Sequence, residues 1–296
     1  MANTMLVGVD GSAASLLAVE WAACDAAARG LRLLLLYGSP LPAARQPLER
    51  QRGYEEYYDR LLRTAEEHAK ACEASIPVTS EVVYDPPEHA LVAPRPEVAR
   101  IVVGLRGRGG FPGLKIGSVA YKVASHADVP VTVVGPERPT PPRGGAVVVG
   151  VDGSPGGSAA LAEAFEVCAM RNARLHAIHA ERLFTDPMVG YLPSEPAYLG
   201  PWGAETERTV DGILAPWKRA YPDVAVSRNV EWDDPVHALA TASRDAQLVV
   251  VGARGRRGLP YLALGSVTHG LLHHALCPLT VVRRGAAVPP EPQQPA

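Results

Sequence analysis

Two glycine-rich segments of identical spacing contain residue types that could bind a phosphate group. Each segment reads Gly-x2-Gly-x9-Gly-Ser, and the positions are Gly104, Gly107, Gly117 and Ser118 in the first segment and Gly252, Gly255, Gly265 and Ser266 in the second. Glycine lets a backbone approach a ligand closely, and a Gly-Ser pair at the start of a helix presents amides and a hydroxyl to an anion. A strand-to-helix turn without a ligand would explain one such segment, but two copies with the same spacing favour a phosphate site.

The residues around each glycine segment place it at the end of a buried strand. An apolar run, 101–103 or 248–251, comes directly before the first glycine, and a helical pattern follows the Gly-Ser pair. A second motif, Val-Asp-Gly-Ser, occurs earlier in each half of the chain, at 9–12 and 151–154. The two motifs recur in the same order and at nearly the same separation, so a whole domain is repeated.

Strand and helix patterns alternate along both copies. In the first copy, strands are predicted at 6–9, 31–37, 78–84, 101–103 and 129–134, and helices at 13–29, 48–75, 88–92 and 118–126. In the second copy, strands are predicted at 146–151, 173–179, 224–231, 248–251 and 279–282, and helices at 157–171, 204–220, 237–244 and 266–275. The alternation predicts a parallel sheet in each copy, with a ligand site beyond the carboxyl ends of the strands. The predicted division is a first domain at 1–136, a linker at 137–145, a second domain at 146–284 and a disordered tail at 285–296.

Composition narrows the class of protein. The chain has 296 residues, 47% of them hydrophobic and 20% charged, which indicates a globular protein of about two domains. Its net charge of −2 gives no case for nucleic acid or membrane binding. The amino terminus lacks the pattern of a signal peptide, so we expect a cytoplasmic protein. The four cysteines form no CxxC pair, and we interpret them as buried thiols in a reducing compartment rather than as a redox or metal site.

Other candidate sites are weaker. His269 and His273 have the i, i+4 spacing of zinc ligands, but no third ligand is evident, which favours a helix surface. Tyr54, Tyr57 and Tyr58 fit a core or an interface better than a base-stacking platform. The basic residues beside the glycine segments either neutralise phosphates or form a solvated rim, and these are Arg106, Arg108, Lys115, Arg254, Arg256 and Arg257. The chain has neither a P-loop nor a Gly-x-Ser-x-Gly nucleophile motif.

The repeated motifs resemble those of the universal stress protein family. The matching features are Val-Asp-Gly-Ser, the glycine segment, and the closing strands at 129–134 and 277–282, and they extend over almost the whole chain. The resemblance implies an α/β fold of two tandem doubly wound five-stranded parallel sheets, of order 3-2-1-4-5, with helices on both faces. In this family the glycine signature marks the members that bind ATP.

The resemblance also implies roles for individual residues. Asp10 and Asp152 would face the ribose and the phosphates, and a bound Mg²⁺ could bridge either carboxylate to a phosphate. The other residues implied to bind ATP in the first copy are Val9, Gly11, Ser12, Gly38, Val103, Gly104, Gly107, Gly117, Ser118 and Val119. Their counterparts in the second copy are Val151, Gly153, Ser154, Ala180, Val251, Gly252, Gly255, Gly265, Ser266 and Val267.

The chain departs from the family pattern near the third helix of each copy. Asp85 and Asp233 lie where family members usually have glycine, and Pro94 and Pro96 should shorten the third helix of the first copy. The second copy keeps an unbroken helix and has a long loop, at 180–202, that could fold over a ligand. We therefore expect the second copy to bind nucleotide at least as tightly as the first.

The function that the resemblance implies is that of an ATP-binding stress regulator or sensor. No group that would position a water molecule for attack is evident, so we expect at most a slow ATPase. Two alternatives stay open: a protein-interaction module whose glycine segments are structural, and an enzyme that activates a substrate with ATP. The apolar closing strands, Val129–Val134 and Leu279–Val282, are expected to pair, and a homodimer through sheet-edge strands is expected as well.

Overall fold

The computed structural model describes residues 2–40, 48–109, 115–136, 145–182, 200–256, 263–283 and 287–290. Most of the predicted linker, tail and long loop of the second copy lies outside these ranges, as does Arg257. Contacts divide the chain into two units: unit 1 comprises Met1–Thr140 and Leu276–Arg283, and unit 2 comprises Pro141–Ala275 and Arg284–Ala296.

Unit 1 contains nine elements of the first copy in alternating order. They are β1 (Thr4–Gly8), α1 (Ala13–Arg29), β2 (Arg32–Gly38), α2 (Leu48–Cys72), β3 (Val78–Val83), α3 (Pro87–Val92), β4 (Val98–Gly104), α4 (Ser118–His126) and β5 (Val131–Val134). The second copy repeats this order as β6 (Ala146–Gly150), α5 (Pro155–Arg171), β7 (Leu175–Ala180), α6 (Gly200–Ala220), β8 (Val226–Glu231), α7 (Pro235–Ala242), β9 (Ala246–Gly252), α8 (Ser266–His274) and β10 (Leu279–Val282). By contacts, β10 groups with unit 1.

The sheet of unit 1 has the strand order β3-β2-β1-β4-β5, and these strands are parallel. Its central strand β1 is covered on both faces, because Met5, Leu6 and Val7 are all fully buried. Unit 2 has the parallel order β8-β7-β6-β9. The predicted fold class, two tandem doubly wound α/β domains, is therefore confirmed.

The predicted pairing of the two closing strands is also present. Strand β10 runs antiparallel to β5, with Leu279 opposite Val133 and Thr280 opposite Thr132. The buried hydroxyls of the two threonines lie 2.8 Å apart and share a hydrogen bond. Each polar group therefore satisfies the other within an otherwise apolar strand pair.

The ends of α1 illustrate how local sequence fixes these elements. Ser12 caps its N-terminus, since its hydroxyl accepts a hydrogen bond from the Ser15 amide at 3.2 Å. Gly30 ends it in the left-handed conformation, with φ of 65°. The helix spans Ala13–Arg29, which are the bounds predicted from the sequence.

The third helices differ between the copies. Helix α3 has six residues and no side-chain cap. Helix α7 has eight, begins two residues before its predicted start at 237, and is capped by Asp234, whose carboxylate accepts hydrogen bonds from the amides of Val236 and His237. None of the described helices is long and apolar enough to cross a membrane.

Two of the four cysteines are not buried, which corrects the sequence-based interpretation. Cys24 and Cys72 lie on the exposed sides of α1 and α2. Cys168 and Cys277 are buried as predicted. Burial raises the pKa of the Cys168 thiol to about 12, so that thiol stays protonated at neutral pH.

Candidate functional site

In each copy the Val-Asp-Gly-Ser motif forms the turn between the first strand and the first helix. In the first copy the amide of Val9 still bonds to the Leu36 carbonyl at 2.9 Å, and Asp10 follows at the carboxyl end of the sheet. Gly11 then adopts φ of 76° and Gly153 adopts φ of 72° in the second copy. These left-handed conformations favour glycine, and they allow the next serine, Ser12 or Ser154, to cap the helix.

The aspartate of this turn is bonded to the glycine segment. In the first copy Asp10 Oδ1 accepts a hydrogen bond from the Ser12 amide at 2.9 Å, and Oδ2 accepts one from the Arg108 amide at 2.8 Å. A Cβ atom at Gly107 would collide with Asp10 Oδ2. The second glycine of the signature is therefore required for this contact.

The second copy has the same arrangement. Asp152 Oδ1 accepts hydrogen bonds from the Ser154 amide at 2.9 Å and the Ser154 hydroxyl at 2.7 Å, and Oδ2 accepts one from the Arg256 amide at 2.9 Å. A Cβ atom at Gly255 would lie 2.5 Å from Asp152 Oδ2. The aspartate and the glycine segment, which are far apart in sequence, thus form one structure in both copies.

The first glycine of each segment has a packing role. A Cβ atom at Gly104 would lie 2.6 Å from the Ala14 carbonyl oxygen, and one at Gly252 would lie 2.6 Å from the backbone of Gly156. The end of the fourth strand therefore packs directly against the start of the first helix, and only glycine fits. Gly38, also among the residues implied to bind ATP, is in a similar position because a Cβ atom there would collide with the Pro87 backbone.

The Gly-Ser pair opens a helix whose N-terminus has no side-chain cap. Gly117 is the N-cap of α4 and Gly265 is the N-cap of α8. Their own amides bond to the carbonyls of Leu105 and Ala253, each at 2.8 Å. Ser118 and Ser266 follow as exposed residues, and Val119 and Val267 are half-buried. The amides of the first turn are consequently available to an anion.

Hydrogen bonds keep Asp10 ionised. Burial alone would raise its pKa, but the hydrogen bonds from Ser12, Arg108 and Ser15 outweigh that effect and lower the pKa below its usual value of 3.8. Within the described ranges, no group of three or more His, Cys, Asp or Glu residues is placed to hold a metal ion. A cation at Asp10 would therefore take most of its ligands from a bound molecule or from water.

The remaining residues predicted for the site lie in two kinds of environment. The four valines before the aspartates and glycines are buried, and these are Val9, Val103, Val151 and Val251. These valines can therefore offer backbone groups and part of an apolar wall to a ligand, but not exposed side chains. Ala180 is half-buried at the end of β7.

A pocket of about 540 Å³ beside the first glycine segment was not predicted from the sequence. Four tyrosines contribute to its wall, and the lining residues are Tyr37, Ser39, Pro40, Gly53, Tyr54, Tyr57, Tyr58 and Arg108. The expectation that the tyrosines of α2 form a core is right for Tyr58, which is buried, but Tyr57 is half-buried and Tyr54 is exposed. The signal in the sequence was the spacing of the α2 tyrosines together with Tyr37, one residue before the end of β2.

These features define a class: a tandem α/β protein with an aspartate–glycine site at the carboxyl ends of the parallel strands in each domain. The profile of the Universal stress protein family matches residues 1–135 and 145–283. The chain belongs to the universal stress protein family.

Known members resemble it along most of their length. Universal stress protein Rv1996 of Mycobacterium tuberculosis (strain ATCC 25618 / H37Rv) is 34% identical over 320 residues, which cover 99% of this chain and 97% of that protein. Universal stress protein Rv2623 of the same strain is 34% identical over 295 residues, covering 94% of this chain and 96% of that protein. The crystal structure of a universal stress protein from Archaeoglobus fulgidus DSM 4304 shares the fold, with a TM-score of 0.67 at 21% identity, covering 96% of this chain and 100% of that one.

Proposed function

We propose that each copy binds an adenine nucleotide, ATP with Mg²⁺, and that the chain acts as a nucleotide-dependent stress regulator or sensor. One observation carries the proposal. In both copies an aspartate, a glycine segment and an uncapped helix N-terminus converge at the carboxyl ends of the strands. Ligands of doubly wound α/β domains bind at this edge of the sheet.

The phosphates would bind at the start of α4 and α8. The first-turn amides there have no side-chain cap, and the dipole of each helix favours a negative charge at this end. The exposed hydroxyls of Ser118 and Ser266 add a donor in each copy. The space beside the glycines before them is open, since a Cβ atom at Gly117 or Gly265 would have no neighbour closer than 3.4 Å. The backbone at the helix start is therefore accessible.

Mg²⁺ fits the aspartates. A carboxylate is a preferred ligand for this ion, and Asp10 is ionised at neutral pH because its pKa is lowered. Asp10 and Asp152 would hold the ion in the two copies. When bound, it would neutralise charge on the phosphates.

The geometry favours binding over hydrolysis. Both carboxylate oxygens of Asp10 and of Asp152 accept amide hydrogen bonds, and a bound Mg²⁺ would take a remaining lone pair, so neither aspartate would orient an attacking water. We therefore propose a regulator whose state depends on nucleotide occupancy rather than on rapid turnover.

A protein-interaction module without nucleotide is the second candidate. It is favoured by Gly104 and Gly252, because packing against the first helix accounts for both glycines without a ligand. The uncapped starts of α4 and α8 favour the nucleotide, since an interaction module has no need for free amides there.

A homodimer is part of the proposal as well. Strand β10 pairs with β5, whereas β3 ends the strand order of unit 1 and β8 ends that of unit 2, so a second chain would pair through β3 or β8. Sedimentation at micromolar concentration tests this, and a single monomeric species would contradict it.

The proposed nucleotide binding is tested with the purified full chain. Calorimetry with ATP, ADP and AMP, each with and without Mg²⁺, should show binding of at least one nucleotide. Denaturing the purified protein and weighing any released small molecule identifies a nucleotide carried through purification. No binding of any of the three nucleotides at millimolar concentration would contradict the proposal.

A further inference from the structure

The pocket beside the first glycine segment has the size and wall chemistry of a small-molecule site. Its volume of about 540 Å³ lies within the range of ligand pockets in proteins. All eight lining residues belong to unit 1. We call it the tyrosine pocket.

The inner wall of the tyrosine pocket is rigid and aromatic. The rings of Tyr37 and Tyr58 lie 4.8 Å apart, and Tyr57 meets Tyr58 edge-on at 5.7 Å. Tyr58 is only 4% exposed, and its hydroxyl shares a hydrogen bond of 2.9 Å with the buried Ser39 hydroxyl. Tyr54 stacks on Tyr58 at 6.2 Å and is 38% exposed, so it forms the outer wall. Such an array of fixed rings presents faces and edges to another planar ring.

Among the described lining residues, Arg108 alone carries a charge. The guanidinium of Arg108 lies 5.6 Å from the centre of the Tyr57 ring and donates a hydrogen bond to the Tyr57 hydroxyl. Burial, together with the neighbouring Tyr57 and Tyr58, raises the pKa of Tyr37, which therefore stays neutral. The described lining thus has hydroxyl groups and one positive charge, and none of its described residues is a carboxylate.

We propose that the tyrosine pocket binds a planar aromatic ring that carries an anionic group, with the ring against the tyrosines and the anion at Arg108. Two sources share this chemistry: a nucleotide, whose base and phosphate are joined, or a separate aromatic carboxylate. The first source rests on the proposed function. Arg108 links the pocket to the nucleotide site, because its backbone amide bonds to Asp10 Oδ2 while its side chain lies over Tyr57.

The second copy offers an internal control. The amides of Val9 and Val151 bond to Leu36 and Ile178, so Tyr37 corresponds to His179. Gly11 packs near Leu61 and Gly153 packs near Ile213, which aligns α2 with α6. On that alignment Tyr54, Tyr57 and Tyr58 correspond to Thr206, Thr209 and Val210. At these described positions the second copy therefore lacks the aromatic residues of the tyrosine pocket.

The experiment compares charged and neutral rings on the full chain. Calorimetry is run with two matched pairs of probes, salicylate against salicylamide and AMP against adenosine. We expect the anionic member of at least one pair to bind more tightly than the neutral member. Tyr57→Ala should weaken that binding about tenfold, the usual size of a lost ring stack. Arg108→Gln should abolish the preference for the anion.

Two further variants separate a binding role from a folding role. Tyr57→Phe keeps the ring, so it should bind within about threefold of the native chain, because the stack is retained. Tyr84→Ala removes an exposed tyrosine that contacts Tyr58 but does not line the pocket, and it should leave binding unchanged. Thermal unfolding is recorded for each variant.

The outcomes distinguish this inference from the proposed function. Tyr57-dependent binding of AMP but not salicylate identifies the nucleotide as the source. Salicylate binding that survives Gly107→Val identifies a separate aromatic acid, whether or not ATP binds. The inference is overturned if no probe binds at millimolar concentration. It is also overturned if Tyr57→Ala and Arg108→Gln bind as the native chain does, even when ATP itself binds.

Discussion

The two copies share the aspartate–glycine geometry but differ at the end of the second strand. The first copy surrounds that end with tyrosines, whereas the second has His179 and Glu181 there. His179 is buried, its Nδ1 donates to the Val151 carbonyl at 2.7 Å, and its Nε2 lies 3.8 Å from Glu181 Oε2. The two copies thus share the aspartate–glycine contact and differ in the described residues at the end of the second strand.

If both copies bind nucleotide as proposed, they should treat the phosphates alike and the ring differently. The aspartate accepts a hydrogen bond from a backbone amide of the glycine segment, at 2.8 Å from Arg108 in the first copy and at 2.9 Å from Arg256 in the second. A phosphate should therefore find equivalent sites in the two copies. Among the described residues, a ring would meet four tyrosines in the first copy, whereas the position of Tyr37 is occupied by His179 in the second. Variants of the glycine segments test the shared aspartate–glycine contact, and ligands with and without a ring test the difference at the end of the second strand.

The largest expected effect on ATP affinity comes from breaking the aspartate–glycine contact that both copies share. Gly107→Val should lower the affinity of the first copy for ATP by about a hundredfold, because the new side chain displaces Asp10 from the Arg108 amide. Gly255→Val should do the same in the second copy. Gly109→Val is the matched control, since a Cβ atom there has nothing within 4 Å. A Gly107→Val chain that binds ATP at both copies as the native chain does would rule out this role for the aspartate contact.

The next effect concerns the difference between the copies. A base stacked on an aromatic ring contributes about 1–3 kcal/mol to the free energy of binding, whereas a helix cap such as Asp234 contributes about 1 kcal/mol to the free energy of folding. Because only the ring stack acts on the ligand directly, ATP should bind the first copy up to about tenfold more tightly than the second, which reverses the ranking expected from the sequence. Tripolyphosphate, which has no ring, should bind the second copy at least as tightly, in keeping with its longer, capped third helix. Titration of both ligands into Gly107→Val and Gly255→Val chains measures each copy alone, and the same ranking for both ligands would refute the expected difference between the copies.

Asp10 should make stability depend on pH. Its pKa is lowered in the folded chain, so its stabilising effect is present above its usual value of 3.8 and is lost as the pH falls through the lowered value. Asp10→Asn should reduce the free energy of unfolding by about 1.5 kcal/mol at pH 7, the usual contribution of a charged hydrogen bond. Urea unfolding at pH 7 and pH 3 checks this, with exposed Asp128→Asn as the control. A difference that stays constant between the two pH values would contradict the assignment.

The smallest effect is on the third helix of the second copy. Asp234→Ala should destabilise the chain by about 1 kcal/mol, because the amides of Val236 and His237 lose their acceptor. It also removes the contact of Asp234 with Arg182. The matched variant Arg182→Ala removes only that contact and should cost less. Equal losses for the two variants would assign the effect to the ion pair instead of the cap.

The sequence predicted those features that depend on local periodicity and capping residues or that the family resemblance implies. The bounds of α1, the strand order of unit 1 and the pairing of β5 with β10 all follow from periodicity, caps and family motifs. The role of Gly104 could not be predicted in this way. Its glycine is required by the close approach of Ala14, ninety positions earlier in the chain, and no local signal reports that distance.

The tyrosine pocket was missed for a similar reason. Tyr37 lies on β2, Tyr57 on α2 and Arg108 in the glycine segment, and only the folded chain brings the three together. The spacing of the tyrosines along α2 was visible, but a helix face gives no indication of whether it covers a core or borders a pocket. The exposure of Cys24 and Cys72 was missed because a small apolar residue can occupy either side of a helix.

Counting the nucleotides bound to each chain by native mass spectrometry tests the central claim most directly. The native chain should carry two ATP molecules at saturation, and the Gly107→Val and Gly255→Val chains should each carry one. The double variant should carry none and still unfold cooperatively. A native chain that carries no nucleotide, or a double variant that still carries two, would contradict the claim that the paired aspartate–glycine sites bind ATP.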